Sequence, residues 1–177
     1  HIYADEMATA AISKIMARPV KFIADRLESF TTDIHARDHE IRGRIAVAED
    51  GRILGFDIDD WTAIGAYSVY PRTSAIEGNQ VVNLVGGPYD FKDYRAKTTV
   101  VFQNKTPTSQ YRAVGHPIAV TVTEGLVDMA AAALGMDPVE IRRRNLFADD
   151  AYPVTSPAKM RFEGLSHHAS LTKLVDL

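Results

Sequence analysis

Cysteine is absent from all 177 residues. Without a thiol the chain cannot form a disulfide, bind zinc or an iron–sulfur cluster through its own sulfur, or use a cysteine nucleophile. Excess positive charge is also missing. Lys and Arg number 20 against 23 Asp and Glu, a net charge of −3. That excludes a strongly basic nucleic-acid binder, because phosphate binding needs clustered cations. No apolar run approaches the ~20 residues that cross a bilayer, so no membrane span is expected. The opening His1-Ile2-Tyr3 lacks a charged-then-apolar leader. The expected compartment is the cytoplasm, with the periplasm as the alternative. No Walker, GxGxxG or GxSxG motif occurs, nor any internal repeat or low-complexity segment. The chain does not start with Met, which predicts part of a longer product.

What is present is ordinary for a globular protein: 46% hydrophobic and 24% charged residues. The length fits one domain. We expect residues 1–177 to form a single partial domain, with two lobes divided near 104–116 as the alternative.

Ala4 to Met16 has helical spacing, with Ala8, Ala11, Ile12 and Ile15 on one side. Arg18-Pro19 ends it. Val20 to Ala24 reads as a short buried strand and Asp25 to Asp33 as a polar connector. Ile41, Gly43, Ile45 and Val47 alternate with Arg42, Arg44 and Ala46. After the Glu49-Asp50-Gly51 turn, Leu54, Phe56 and Ile58 alternate again, which predicts a hairpin. A short helix is expected near Glu77 to Leu84. A third strand runs from Asp93 to Gln103, with Tyr94, Ala96, Thr98, Val100 and Phe102 on one face. Pro117 to Leu134 is a long helix, apolar enough to be buried on most sides, and Gly135 caps it. Asp137-Pro138-Val139-Glu140 opens another helix that runs to about Asn145. Residues 152–163 are irregular, and Ser166 to Leu177 is a last helix. Helices mixed with antiparallel strands, without strict βαβ alternation, give the α+β class: antiparallel strands with packed helices.

Most candidate sites have a plain structural explanation. His35 and His39 have i, i+4 spacing, but no third zinc ligand is evident. His167 and His168 point apart on a helix. Counting from Asp57, the calcium-loop positions that need Gly and Glu hold Thr62 and Ser68, so Asp57, Asp59 and Asp60 read as a polar strand face. Gly86-Gly87 is most simply a turn. The segment Gln110 to Pro117 differs, because it feeds into the N-terminus of the long helix. Free amides and the positive end of the helix dipole make such a place ready for an anionic or oxo ligand.

This segment also carries a resemblance. Tyr111-Arg112-Ala113-Val114-Gly115-His116-Pro117 resembles the F/Y-R-G-x-G-x-P stretch of molybdenum hydroxylase large subunits, which include xanthine dehydrogenase, aldehyde oxidase and the aerobic carbon monoxide dehydrogenase large chain. Arg18-Pro19-Val20-Lys21 with Asp25-Arg26-Leu27-Glu28 resembles the family's G-R-P-V-K and D-R-x-E stretches. The Asp50 to Gly55 turn resembles D-G-K-I-x-G, and Asn104 to Pro107 resembles T-N-x-x-P. Asp137 to Arg142 with Asn145-Leu146 resembles the family's D-P-x-E helix. Order and approximate spacing agree over nearly the whole chain.

The resemblance implies part of a molybdenum-cofactor-binding domain in a subunit that oxidises an aldehyde, an N-heterocycle or a similar small molecule. It implies molybdopterin as cofactor of the intact complex. It implies as partners the remainder of the molybdopterin subunit and the iron–sulfur and flavin subunits. Tyr111, Arg112, Ala113, Val114 and Gly115 would face the cofactor, and Gln80 and Val114 the substrate. Arg112 would brace the loop through carbonyl or carboxylate contacts. Ala113, where the family has glycine, would need a negative φ. An arginine that orients substrate in xanthine dehydrogenases aligns with Gln80, which argues against a purine. The family's glycine-rich segment and catalytic glutamate fall outside the match. No catalytic residue and no metal ligand is therefore expected in this chain, nor cofactor binding or activity by it alone. The alternative is a stand-alone, non-catalytic module of the same fold, acting in binding or assembly.

Overall fold

A computed structural model describes residues 2–177; His1 of the opening tripeptide lies outside them. The first helix, α1 (Ala4–Met16), carries Asp5 and Glu6 in its first turn and ends at Ala17, which takes φ 52°. Val20 to Ala24 is not a strand: no regular element forms there, and Phe22 and Ile23 are exposed. Its apolar side chains meet no neighbouring strand. The expected connector is a helix, α2 (Arg26–Thr32). Asp25 accepts from the Glu28 N–H and Glu28 accepts from the Asp25 N–H, both at 2.8 Å, a reciprocal cap that satisfies two end amides. Neither helix buries a residue.

The hairpin forms as the alternation predicts. β1 (His39–Val47) and β2 (Ile53–Ala63) pair antiparallel, with Gly43 opposite Ile58 and Ile45 opposite Phe56. Gly51 turns the chain at φ 83°. α3 (Ile76–Leu84) follows, then β3 (Asp93–Val101). β3 pairs with β2 in parallel, Ile58 opposite Ala96, so the sheet order is β1-β2-β3 and one of its two pairings departs from the antiparallel expectation. A strand's periodicity specifies its face and not its direction, and the α3 crossover is what permits a parallel return. Phe102 lies past the end of β3 and is exposed.

α4 (His116–Leu134) and α5 (Pro138–Asn145) complete the core. α3 and α4 cover one face of the sheet, and α5 packs on α4. Phe56, Ile58, Val81, Leu126, Val127 and Ile141 meet there. A Cβ on Gly43 would stand 2.9 Å from Leu126 Cδ1, so the missing side chain lets α4 approach β1. The other sheet face is charged: Arg44 and Arg95 hold Asp57, and Arg42 lies 5.1 Å over the Trp61 ring. By length and composition alone the 19-residue α4 is apolar enough to cross a membrane, contrary to expectation. Here it buries Ala119, Thr123, Leu126, Val127, Ala130 and Ala131, while Arg142 of α5 pairs with its Glu124 and Asp128. It is also less enclosed than expected, since Val120 and Met129 stay exposed. Residues 152–163 contain a two-strand ribbon, β4 (Val154–Thr155) with β5 (Arg161–Phe162), and α6 (His167–Val175) ends the fold.

Candidate functional site

The segment before α4 has an anchored half and an exposed half. Thr108 and Ser109 are buried. The Thr108 N–H donates to the Ile64 carbonyl (3.0 Å) and the Ser109 N–H to the His35 carbonyl (2.8 Å). The His35 N–H returns a bond to the Pro107 carbonyl at 3.1 Å. Residues 107–109 thus run beside His35, where β2 and β3 end. Beyond them Tyr111, Arg112 and Ala113 turn into solvent. Arg112, Ala113 and Gly115 are all left-handed, with φ of 35°, 59° and 75°. The His116 N–H donates to the Ala113 carbonyl (2.8 Å), and the Ala119 N–H to the Gly115 carbonyl (2.9 Å) begins the helix. The N–H groups of Ala113 and Val114 have no acceptor among the described residues. They stand at the positive end of a 19-residue helix.

Gly115 is required twice. Its φ is positive, and a Cβ there would stand 2.6 Å from Gln80 Cβ and 2.9 Å from the Val81 nitrogen. The loop therefore presses on α3, which brings the half-buried Gln80 to the half-buried Val114 and the buried Gly115. Two expectations fail at this loop. Ala113 has a positive φ, a conformation costly to an L side chain that an adjoining packed turn imposes. The Arg112 guanidinium has no hydrogen-bond or ion-pair partner among the described residues. Arg37 supplies the brace instead: its Nη2 donates to the Tyr111 and Arg112 carbonyls at 3.2 and 2.7 Å. Its guanidinium also lies 5.8 Å from the Tyr111 ring centre. Sequence reasoning missed Arg37, because more than seventy residues separate it from the carbonyls it holds.

A buried ionic cluster underlies the loop. His39 and Asp60 side chains are 2% and 0% exposed and bond at 2.8 Å. Asp60 also accepts from Thr62 (2.7 Å) and Thr98 (2.9 Å). Glu77 stands 3.7 Å from His39 Nε2 and accepts from the Arg37 N–H at 3.0 Å. Burial opposes the His39 charge, but the two carboxylates outweigh it and raise its pKa to about 9. Burial likewise pushes the Glu77 pKa up. His39 and the N–H groups of Arg37 and Gly115 overcome that and hold it below the usual value.

The remaining candidates are separated by the fold. His35 is exposed and His39 buried, so they share no ligand site. Asp57 lies between Arg95 and Arg44, which hold its pKa down to about 2 against an opposing effect of burial. Asp60 faces the opposite side of the sheet. Among the described residues no group of three or more acidic or histidine side chains could hold a metal. In the His39 cluster the imidazolium is itself the cation. Gly86-Gly87 is a turn closed by the Tyr89 N–H to the Gly86 carbonyl at 3.0 Å. His167 packs on Phe162 and Tyr152.

Comparison with known proteins agrees with this geometry. Residues 1–146 match the molybdopterin cofactor-binding domain. The chain is 31% identical over 154 residues to the 6-hydroxypseudooxynicotine dehydrogenase complex subunit gamma of Paenarthrobacter nicotinovorans, covering 87% of this chain and 19% of that one. It is 29% identical over 177 residues to the carbon monoxide dehydrogenase large chain of Hydrogenophaga pseudoflava, covering 99% and 22%. Quinoline 2-oxidoreductase from Pseudomonas putida 86 superposes with a TM-score of 0.95 at 30% identity, over 99% of this chain and 22% of that one. The chain thus spans about a fifth of the length of these relatives. With the match covering the sheet, α3 and the loop into α4, the chain belongs to the molybdopterin cofactor-binding domain family.

Proposed function

We propose that this chain forms part of the molybdopterin-binding subunit of a molybdenum hydroxylase acting on a small aldehyde, N-heterocycle or similar substrate. The observation that carries the reading is the exposed Ala113-Val114 turn. It holds two unpaired amides at the positive end of α4, braced from outside and pressed against α3. An anionic or oxo group fits that setting, since it accepts hydrogen bonds and meets favourable potential. When bound, the cofactor supplies the two-electron oxidation of the substrate carbon. In this reading Ala113 and Val114 donate their N–H groups toward it, and the turn of Tyr111 to Gly115 fixes their direction. Gln80 offers an amide to orient a polar substrate, and the Val114 side chain offers an apolar contact. The exposed apolar side chains of α1 and α2, such as Ile15, Leu27 and Phe30, fit burial against the remainder of the subunit. Iron–sulfur and flavin partners would carry the electrons away.

The test is Gln80→Ala in the full-length subunit. We expect KM to rise about tenfold, the cost of one lost hydrogen bond to a polar group, with molybdenum content unchanged. Unaltered kinetics would remove Gln80 and the adjoining turn from the site. The chain alone should hold no molybdenum, and near-stoichiometric metal by elemental analysis would contradict the reading.

A further inference from the structure

We infer that Arg37, held by the buried carboxylate of Glu77, is the positioning residue of the Tyr111–Gly115 loop. The inference rests on the reading that this loop faces the cofactor, and it names what sets the loop's shape.

Arg37 precedes β1 and is itself left-handed, at φ 67°. That conformation is uncommon for a long side chain and persists where surroundings impose it. Here its N–H is fixed by Glu77 at 3.0 Å, and Glu77 is 1% exposed. The far end of the loop is set by packing: a Cβ on Gly115 would stand 2.6 Å from Gln80 Cβ and 2.9 Å from the Val81 nitrogen. The Arg37 guanidinium meanwhile spans the Tyr111 and Arg112 carbonyls at the near end. The guanidinium thus grips the near end of a five-residue loop whose far end is pressed against α3. Glu77 cannot move away from this post. Its neighbour Gly78 sits on the Thr62 and Thr98 hydroxyls, and the His39 imidazole lies 3.7 Å from the carboxylate. The parallel bridge between His35 and Thr108 keeps Arg37 beside the loop's lead-in. Removing the guanidinium leaves two carbonyls to solvent and frees the left-handed Arg112 end of the loop.

The experiment uses this chain and its Arg37→Met and Arg37→Ala variants, read by amide NMR and hydrogen exchange. Arg37→Met keeps the apolar stem and should keep the fold. We expect the amide signals of residues 111–116 to shift while those of β1 to β3 stay in place. Exchange of the His116 N–H should rise roughly 10- to 100-fold, the loss expected for charge-assisted bonds. Glu77→Gln, which still accepts from Arg37, should keep the loop signals, and Glu77→Ala should not. Unmoved signals in both Arg37 variants would overturn the inference, as would equal disturbance by Glu77→Gln and Glu77→Ala. Turnover of Arg37→Met in the full-length subunit separates this inference from the functional reading. Shifted loop signals with unchanged turnover would leave the brace standing and remove the loop from the active site.

Discussion

Gly78 lies directly above Asp60: a Cβ built on the glycine would stand 3.2 Å from the carboxylate and 2.3 Å from Thr62 Oγ1. The helix α3 can pack over this buried aspartate because residue 78 has no side chain. Gly78→Ala must push α3 outward or break the hydroxyl bonds to Asp60. We expect a loss of about 1–3 kcal/mol, the usual range for overpacking, measured as a lower urea midpoint with an unchanged m-value.

The His39 cluster makes stability depend on pH in a known direction. Its folded pKa is raised from 6.5 to about 9. The stabilisation is therefore complete below pH 6.5 and is lost as pH climbs through 9. The shift corresponds to about 3 kcal/mol. Denaturant melts across pH 6 to 10 should show this decline, and His39→Gln should flatten it. A wild-type profile level across that window would contradict the assignment.

Asn145 ties the hairpin turn to α5. Its Oδ1 accepts from the Ile53 N–H at 2.7 Å, and its Nδ2 donates to the Gly51 and Ile141 carbonyls at 2.8 and 2.7 Å. The side chain is buried. Asn145→Leu strands those groups, and one orphaned buried group costs about 1–3 kcal/mol. We expect a loss near 3 kcal/mol, with early exchange of the Ile53 amide as the local signature.

Ala113 and Gly115 should respond oppositely to exchange of their side chains. Ala113→Gly relieves a positive φ at the cost of unfolded-state entropy, so stability should stay level or rise by up to about 1 kcal/mol. Gly115→Ala adds strain at φ 75° and a 2.6 Å contact with Gln80, and should lower the melting temperature clearly. Equal effects would show that the loop is not pressed against α3.

Local chemistry in the sequence identified most elements and misjudged several. The hairpin was legible because Ile41 to Val47 and Leu54 to Ile58 alternate around an Asp-Gly turn. Pro117 and Gly135 marked the ends of α4. The α2 helix was also written locally, in the reciprocal cap of Asp25 and Glu28, but its apolar residues face outward and gave no core periodicity. Val20 to Ala24 looked buried because apolar residues are usually covered, and here they are not. The parallel return of β3 depends on what the crossover packs against. The loop at Tyr111 was legible through its motif and the helix start after it. Its support was not, since Arg37, Glu77 and Arg112 meet only after β1, α3 and α4 have assembled.

The Asn145 bonds span 92 and 94 positions of chain, which orders assembly in time. A ribosome releases β1 and β2 long before it releases α5. Until then the ribbon has an unfastened turn and a bare apolar face, and β2 lacks the parallel neighbour that defines its register. The nascent chain must keep that edge from pairing with other polypeptides while residues 64–145 are still being made. The charges of Arg42, Arg44, Asp57 and Asp59 along the ribbon's outer face serve as gatekeepers during that interval.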